Sequence, residues 1–407
     1  MPQSEWLRKT SPAFQLMIAS SWIAPDSHRD IQDRAVQRAC YARPNWTEYL
    51  DLVDRHRTPG SSWAALKRTA GVHVPEQVAR ELQRRSDLCR WQAMLHLQLL
   101  AGILKRLNQS GIPVMPLKGP LLSFALYRDA GLRHSRDLDI LVPQPEIHRA
   151  QECLENMGWR LGAEYFSLSP RQWEASFQNE HDVGYVEPQQ RCQLELHWQW
   201  HSAQKTEQYW ARSTTKELSG FSYRAMSRAD LPIYLSDHGG AHQWFRAKWL
   251  GDLARLHCNG QVDWIDALAR ARALGQERSM LLGLLLFSEC YDLELQHALG
   301  SLRKTLPHPL ASTAVRALTA RNPERNAWTA LKEGVQTYRY HRVLWPDRSW
   351  SKNLIRLTHC RHDFKILPLP DGAFWLYAPL RPFLWAWRHI TRTSREHGAC
   401  TSAKHPY

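Results

Sequence analysis

The chain has 407 residues, of which 43% are hydrophobic and 23% are charged. This length allows two or three domains with a sizeable apolar core, and the composition excludes a disordered, collagen-like or disulfide-scaffolded chain. The 53 lysines and arginines exceed the 39 aspartates and glutamates, which gives a formal net charge of +14. Such a charge favours a polyanionic partner, such as a nucleotide, a nucleic acid or an anionic membrane, although a basic solvated surface explains it equally well.

The cysteines and the apolar runs indicate the compartment. None of the eight cysteines belongs to a C-x-x-C pair, which argues against a zinc ribbon or a thioredoxin-type site and favours a reducing environment. The most apolar run, residues 280–287, is far shorter than the about 20 residues that span a bilayer. We therefore expect a cytoplasmic protein without a transmembrane segment.

The first hundred residues are predicted to be helical with short breaks. Between residues 80 and 107, leucines and an isoleucine recur at spacings of three and four, as on a helix that is buried along one side. Residues 108–111, Asn-Gln-Ser-Gly, are typical of the end of such a helix.

The pattern then becomes that of a small α/β unit. Residues 112–117 form a short apolar run with prolines, which predicts an extended strand. Pro120 opens an apolar helical segment that runs to Tyr127, and proline suits the first position of a helix. Residues 138–142 predict a second strand, and a third helix is expected to end near residue 157.

Two later runs predict a β-hairpin. Residues 181–186 and 191–198 flank the turn sequence Glu-Pro-Gln-Gln at 187–190. From about residue 205 onward the pattern is mostly helical again.

Two aspartates begin the second predicted strand. Because strand side chains alternate between faces, Asp137 and Asp139 point to one face, while Leu138 and Ile140 point into the core. Neighbouring carboxylates repel each other unless a cation neutralises them, and Mg²⁺ takes one or two carboxylates together with substrate phosphates. An isolated D-x-D motif is more often a pair of solvated aspartates, so the surrounding sequence decides.

The sequence upstream of this strand has the features of a phosphate site. Lys118 and Gly119 lie where a strand ends and a helix begins, and the N-terminus of a helix offers free N–H groups. Gly119 allows close approach of the backbone, and Lys118 adds a positive charge. Arg133 and Arg136 bracket the aspartates and could either bind the same polyphosphate or form local ion pairs.

A third carboxylate is predicted on the later hairpin. Glu195 and His197 share one face of their strand, opposite Leu194 and Leu196. In a two-metal site, a third carboxylate completes the metal shell or deprotonates the attacking hydroxyl. Taken alone, Glu195 is more simply a solvated strand residue.

This ordered set of motifs resembles the uncharacterised nucleotidyltransferase family of the polymerase-beta-like nucleotidyltransferase superfamily. The matching residues are Leu117, Lys118, Gly119, Tyr127, Arg133, Asp137, Asp139, Leu141, Val142, Glu195, Leu196, His197 and Trp198. The resemblance runs from the helix before Gly111 to roughly residue 260. It implies an α+β fold with a small mixed β-sheet nucleotidyltransferase core, flanked by N- and C-terminal helical regions.

The resemblance also implies an activity and a set of site residues. The activity is Mg²⁺-dependent transfer of a nucleoside monophosphate from an NTP, such as ATP, to an acceptor hydroxyl, with release of pyrophosphate. The expected catalytic residues and ligands of a two-metal site are Asp137, Asp139 and Glu195. The expected phosphate contacts are Lys118, Gly119, Arg133, Ser135 and Arg136. The candidates for contact with the acceptor or the base are His197, His242 and Asp252.

Two details qualify this interpretation. The Gly-Ser pair that is usual in the superfamily is replaced by Lys118-Gly119, so phosphate binding would depend on lysine and backbone. The residues His238, His242, Phe245, Trp249 and Asp252 are spaced as one stripe of a single helix. That stripe could be a polar wall of the active site or an ordinary packed face.

We expect four parts along the chain. They are an N-terminal helical region (1–107), the nucleotidyltransferase α/β core (108–204), a C-terminal helical domain (205–345) and a basic, Trp-rich C-terminal segment with a flexible end (346–407). The last segment could contact a membrane peripherally or dock on its own domain.

Two other functions stay open at this point. The first is a catalytically inactive nucleotide- or RNA-binding protein of the same fold, and the second is phosphoryl transfer, which would release ADP. The acceptor is open as well: a small molecule, a sugar phosphate, a peptide or protein, and RNA all satisfy the sequence.

Overall fold

The computed structural model describes residues 4–162, 168–200, 203–295, 305–320, 327–346 and 361–387. It confirms the predicted α+β fold, in which helices flank a small mixed sheet of five strands. The predicted flexible end of the chain lies outside the described residues.

Helices outnumber strands along the described part of the chain. In chain order, the helices are α1 (Glu5–Arg8), α2 (Pro12–Ser20), α3 (Arg29–Tyr41), α4 (Trp46–His56), α5 (Pro59–Arg68), α6 (Glu76–Gln109), α7 (Pro120–Tyr127), α8 (Ile147–Asn156), α9 (Pro170–Asn179), α10 (Ala203–Arg212), α11 (Asp230–Ala241), α12 (Ala247–Cys258), α13 (Trp264–Ala273), α14 (Glu277–Tyr291), α15 (His308–Thr319), α16 (Ala327–Leu344) and α17 (Arg361–Ile366). The strands are β1 (Met115–Pro116), β2 (Asp137–Leu141), β3 (Arg160–Leu161), β4 (Asp182–Val186), β5 (Gln193–His197), β6 (Thr214–Leu218) and β7 (Phe221–Ala225).

The long helix α6 supports one face of the sheet. Its buried positions recur at spacings of three and four, as the sequence predicts, and include Leu100, Ile103 and Leu107. The helix ends where Gly111 adopts a φ of 68°, and the Ile112 N–H returns to the carbonyl of Leu107 at 2.9 Å. The chain therefore turns directly from α6 into the first strand.

The five-stranded sheet has the order β1-β2-β5-β4-β3. Strands β2 and β5 pair in parallel, whereas the other neighbours in this sheet are antiparallel. The predicted hairpin is present as β4 and β5. On the face towards α6 and α8, the alternating residues Leu138, Ile140, Leu194 and Leu196 are buried in one apolar cluster. The opposite face is thereby left to the polar residues of the same two strands.

One strand prediction needs correction, and one hairpin was not predicted. The strand predicted over residues 112–117 pairs only at 115–116, and the hairpin β6–β7 lies in the region predicted to be mostly helical. The Ser219-Gly220 turn of that hairpin, with φ values of 53° and 81°, is a sequence signal that the helical interpretation overlooked.

The predicted single helix through residues 238–252 is also wrong. Helix α11 ends at Ala241, and α12 begins at Ala247. Between them Trp244 has a φ of 57°, and its fully buried indole lies against Gly239. Burying this large aromatic ring requires the chain to fold back, and that gain outweighs continuation of the helix.

The N-terminal and C-terminal helices share one apolar core. Phe14 and Tyr49 from the first helices belong to the same buried cluster as Trp244 and Phe287. The proposed boundaries at 107, 204 and 345 stay predictions. The structure adds that helix α5 touches the loop before β2, since a Cβ at Gly60 would lie 2.7 Å from the carbonyl oxygen of Gly131.

The described part of the C-terminal segment packs on helix α9. Phe364 and Tyr377 are buried with Leu168, while Trp375 is 65% exposed. Peripheral membrane contact by this segment stays a prediction. Among the described residues, no helix is long and apolar enough to cross a bilayer.

The contact at Gly60 can be tested by adding a methyl group. Gly60→Ala would push Cβ against the carbonyls of Gly131 and Leu132, so we expect a loss of about 1–3 kcal/mol in the free energy of unfolding. Gly334→Ala is the control, because a Cβ there meets nothing within 4 Å and alanine favours helix α16 by about 0.5–1 kcal/mol. Chemical denaturation measures both. A Gly60→Ala protein as stable as the wild type would contradict the close contact.

Candidate active site

A glycine turn places Lys118 at the edge of the sheet. The Leu117 N–H donates to the carbonyl of Asp139 at 2.9 Å, which holds the turn against β2. Gly119 has φ 85° and ψ −151°, a conformation that glycine adopts readily because it has no Cβ. Pro120 then starts α7. Lys118 Nζ lies 3.0 Å from Asp139 Oδ1.

Three side chains of the polar face form a compact group beside this lysine. The parallel register sets Asp139 directly opposite Glu195. His197 Nε2 lies 3.3 Å from Asp139 Oδ1 and 3.4 Å from Glu195 Oε2. The Asp139 side chain is fully buried, whereas that of Glu195 is 40% exposed. The sequence-predicted residues Lys118, Asp139, Glu195 and His197 are therefore brought together.

The electrostatics of this group separate the two carboxylates. Burial alone would raise the pKa of Asp139, but Lys118 and His197 hold it well below its ordinary value. Burial raises the pKa of Glu195 to about 7, and the neighbouring Asp139 charge acts in the same direction. Burial opposes the charge of His197, yet its hydrogen bonds to Asp139 and Glu195 raise its pKa to about 9. One carboxylate is thus firmly ionised, while the other titrates near neutral pH.

The group has donors suited to a divalent cation. Ligand atoms of Asp139, Glu195 and His197 all lie within 4.8 Å of one another, and His181 and Asp182 form a second such group with His197. Asp139 Oδ2 is buried and accepts no hydrogen bond. A buried carboxylate oxygen without a partner is costly, and a hard cation would satisfy it.

These residues border a cavity of about 540 Å³. The sequence-predicted residues that line it are Lys118, Arg133, Ser135, Asp137, Glu195, His197 and His242. Asp137 is partly exposed, whereas Asp139 is buried below the cavity surface. The Ser135 hydroxyl donates to the carbonyl of Asp137 at 2.9 Å and so braces the start of β2.

Arg133 is held by a buried ion pair. Its Nε lies 2.7 Å from Asp252 Oδ2, and the two side chains are 3% and 1% exposed. The Tyr127 hydroxyl donates to the other oxygen of Asp252 at 3.2 Å. The sequence allowed either phosphate binding or a local ion pair for Arg133, and the structure shows an ion pair. Asp252 is not among the residues that line the cavity. Arg136, by contrast, is exposed.

The sequence interpretation missed a basic wall of the cavity. It consists of Arg57, Arg246 and Lys248, from the turn after α4 and the start of α12. Neither part of the chain belongs to the predicted α/β core. The closely spaced basic residues of Arg55-His56-Arg57 and Arg246-Ala247-Lys248 were only a weak sequence signal for an anion site, because the two segments come together only in the tertiary fold.

A third wall of the cavity is aromatic. Trp200 and Trp345 donate their indole N–H groups to the buried carboxylate of Asp237, at 3.1 and 2.8 Å. His242 stacks on Trp249 with ring centroids 5.4 Å apart. Burial lowers the pKa of His242 to about 4, and Lys118 acts in the same direction, so the imidazole of His242 is neutral at pH 7.

Comparison with known families shows the family of this chain. A family model described as an uncharacterised nucleotidyltransferase matches residues 42–292. The chain belongs to this family. The match extends beyond the region from the helix before Gly111 to roughly residue 260 that the sequence motifs indicated. It includes both the turn that carries Arg57 and the helix that carries Lys248. No curated protein matches the chain. The family's description supports nucleotidyl transfer as the general activity.

The ion pair behind the cavity can be tested by removing one charge. Asp252→Asn would leave the buried guanidinium of Arg133 without a counter-charge, so we expect a loss of about 3–5 kcal/mol in the free energy of unfolding. Asp266→Asn is the matched control, because the Arg270–Asp266 pair is exposed, and it should cost less than about 1 kcal/mol. Equal effects of the two substitutions in a urea titration would show that the Arg133 pair is not buried.

Proposed function

We propose that this protein transfers a nucleoside monophosphate from an NTP to an acceptor hydroxyl, with Mg²⁺ as cofactor and pyrophosphate as product. The observation that carries the proposal is the parallel register of β2 and β5, which sets Asp139 beside Glu195 next to Lys118. Paired carboxylates at the edge of a roomy cavity are what a metal-dependent phosphoryl or nucleotidyl transfer needs.

Each residue has a role that follows from its position. Asp137 and Asp139 would hold Mg²⁺ with Glu195 as the third carboxylate, and the metal would neutralise charge that develops on the transferred group. Glu195 is the group suited to accept the proton of the acceptor hydroxyl, because its pKa is raised to about 7. Lys118 lines the cavity, and its ammonium has three donors, so it can bind a phosphate oxygen while it still faces Asp139.

The aromatic wall suits the base of the nucleotide. The uncharged ring of His242, which stacks on Trp249, offers a flat surface. Any nucleotide base can stack on such a surface, because stacking needs no particular pattern of hydrogen bonds. The predicted contacts of His197 and His242 with the base or the acceptor are retained in this proposal. Asp252 is retained only as the residue that positions Arg133.

One observation favours the alternative of a nucleotide- or RNA-binding protein without turnover. Lys118 already neutralises Asp139 at 3.0 Å, so this carboxylate is stable without a metal. If this lysine permanently replaces the metal, the protein should bind nucleotides or RNA with a steep salt dependence and should release no pyrophosphate.

The proposal can be tested with NTPs labelled at the α-phosphorus. The protein is incubated with Mg²⁺, each NTP and a cell extract that supplies acceptors, and the label is followed into products other than the nucleotide. Glu195→Gln should lower the transfer at least about 100-fold, because it removes the proton acceptor. Glu217→Gln, the same change on an exposed residue of β6, should leave it unchanged. Equal transfer by both variants, or none by the wild type, would contradict the proposal.

A further inference from the structure

The three cations of the basic wall form no ion pair with the carboxylates that the structure describes. Among the described residues, no carboxylate lies within ion-pair distance of Arg57, Arg246 or Lys248. Lys248 donates to the carbonyl of His134 at 3.0 Å, and Arg246 donates to the carbonyl of Arg55. Arg57 Nε is buried and has no hydrogen-bond partner. Lys248 and Arg246 are therefore held by uncharged backbone carbonyls, and the Nε of Arg57 has no partner among the described residues.

Burial, and after it repulsion between neighbouring cations, disfavours the charges of the wall. Burial, together with the neighbouring charges of Arg57 and Arg136, lowers the pKa of Arg246 to about 10. Burial likewise lowers the pKa of Lys248 well below its ordinary value, with Arg133 and Arg57 acting in the same direction. Like charges that are crowded into a cavity destabilise the empty protein, and a bound anion would remove that cost.

The wall lies near the metal-binding end of the cavity. Burial and neighbouring cations lower the pKa of Arg57, Arg246 and Lys248. The negative charge of Asp137, which lines the same cavity, acts in the opposite direction and raises these pKa values. A ligand that reaches from the carboxylates to the wall must carry several negative charges on adjacent groups. A chain of phosphates has this form, and arginine binds phosphate oxygens through its planar fork.

We propose that Arg57, Arg246 and Lys248 bind the terminal two phosphates of the donor nucleotide, and hence the pyrophosphate product. The choice of donor rests on the proposed function, whereas the affinity for a polyphosphate does not. The proposal gives the N-terminal helices a direct part in the site, because Arg57 follows α4 and lies outside the predicted α/β core.

The backbone at Arg57 allows a variant that should not harm the fold. Arg57 ends α4 in the left-handed conformation with a φ of 55°, which asparagine tolerates well. Arg43 provides a matched control. It has a φ of 52°, is exposed and is not among the cavity residues, so Arg43→Asn removes the same charge from the same backbone conformation.

The experiment is titration calorimetry with inorganic triphosphate in the presence of Mg²⁺. Arg57→Asn should weaken binding at least about tenfold, since a charge-assisted phosphate contact is lost, and its midpoint of thermal unfolding should not fall. Arg43→Asn should bind within about twofold of the wild type. Equal weakening in the two variants, or unchanged binding in Arg57→Asn, would overturn the proposal.

A competition arm identifies the source of the phosphates. A non-hydrolysable NTP analogue should exclude inorganic triphosphate from the wild-type protein, because both would occupy the basic wall. Simultaneous binding of the two would overturn the assignment to the donor and point to an anionic acceptor. If triphosphate binding depends on Arg57 but no nucleotide is transferred, the binding site stands and the proposed function fails.

Discussion

The parallel pairing of β2 with β5 is the constraint on which the site depends. It sets Asp139 opposite Glu195, while the alternate residues of the same strands are buried against α6 and α8. A shift of one residue in this register would turn the carboxylates into the apolar core and expose the leucines. The burial of Leu138, Ile140, Leu194 and Leu196 therefore fixes the positions of Asp139 and Glu195.

The charges of the cavity are separated in a way that the net charge of the chain does not reveal. The acidic side is compensated internally, since Lys118 and His197 face Asp139. The basic side is not, and its cations repel one another. The cavity therefore has one end that suits a cation and another that suits a polyanion, and it also has an aromatic wall. A metal-bound nucleotide carries complementary groups for all three.

The sequence predicts the parts of this site that follow from local periodicity. Alternation along each strand is enough to place Asp137 with Asp139, and Glu195 with His197, on one face of their own strand. The Lys118-Gly119 turn follows from the strand and helix that flank it. The structure agrees on these positions, while their catalytic roles stay predictions.

The rest depends on contacts between distant segments, which periodicity cannot show. The partner of Arg133 is Asp252, on a helix more than a hundred residues later, and Arg57 reaches the cavity from the N-terminal helices. The stripe at residues 238–252 is not one helix because the burial of Trp244, a tertiary effect, breaks it. Its aromatic residues nevertheless meet at the cavity through the turn.

Binding of a nucleotide together with Mg²⁺ is the central claim, and thermal unfolding tests it most directly. The protein is heated with each of the four NTPs, with and without Mg²⁺, alongside Asp137→Asn and the control Asp266→Asn. At least one NTP should stabilise the wild type and the control only when Mg²⁺ is present, by about 2.7 kcal/mol at a hundredfold excess over Kd. Stabilisation that is independent of Mg²⁺, or that persists in Asp137→Asn, would contradict the metal-dependent site.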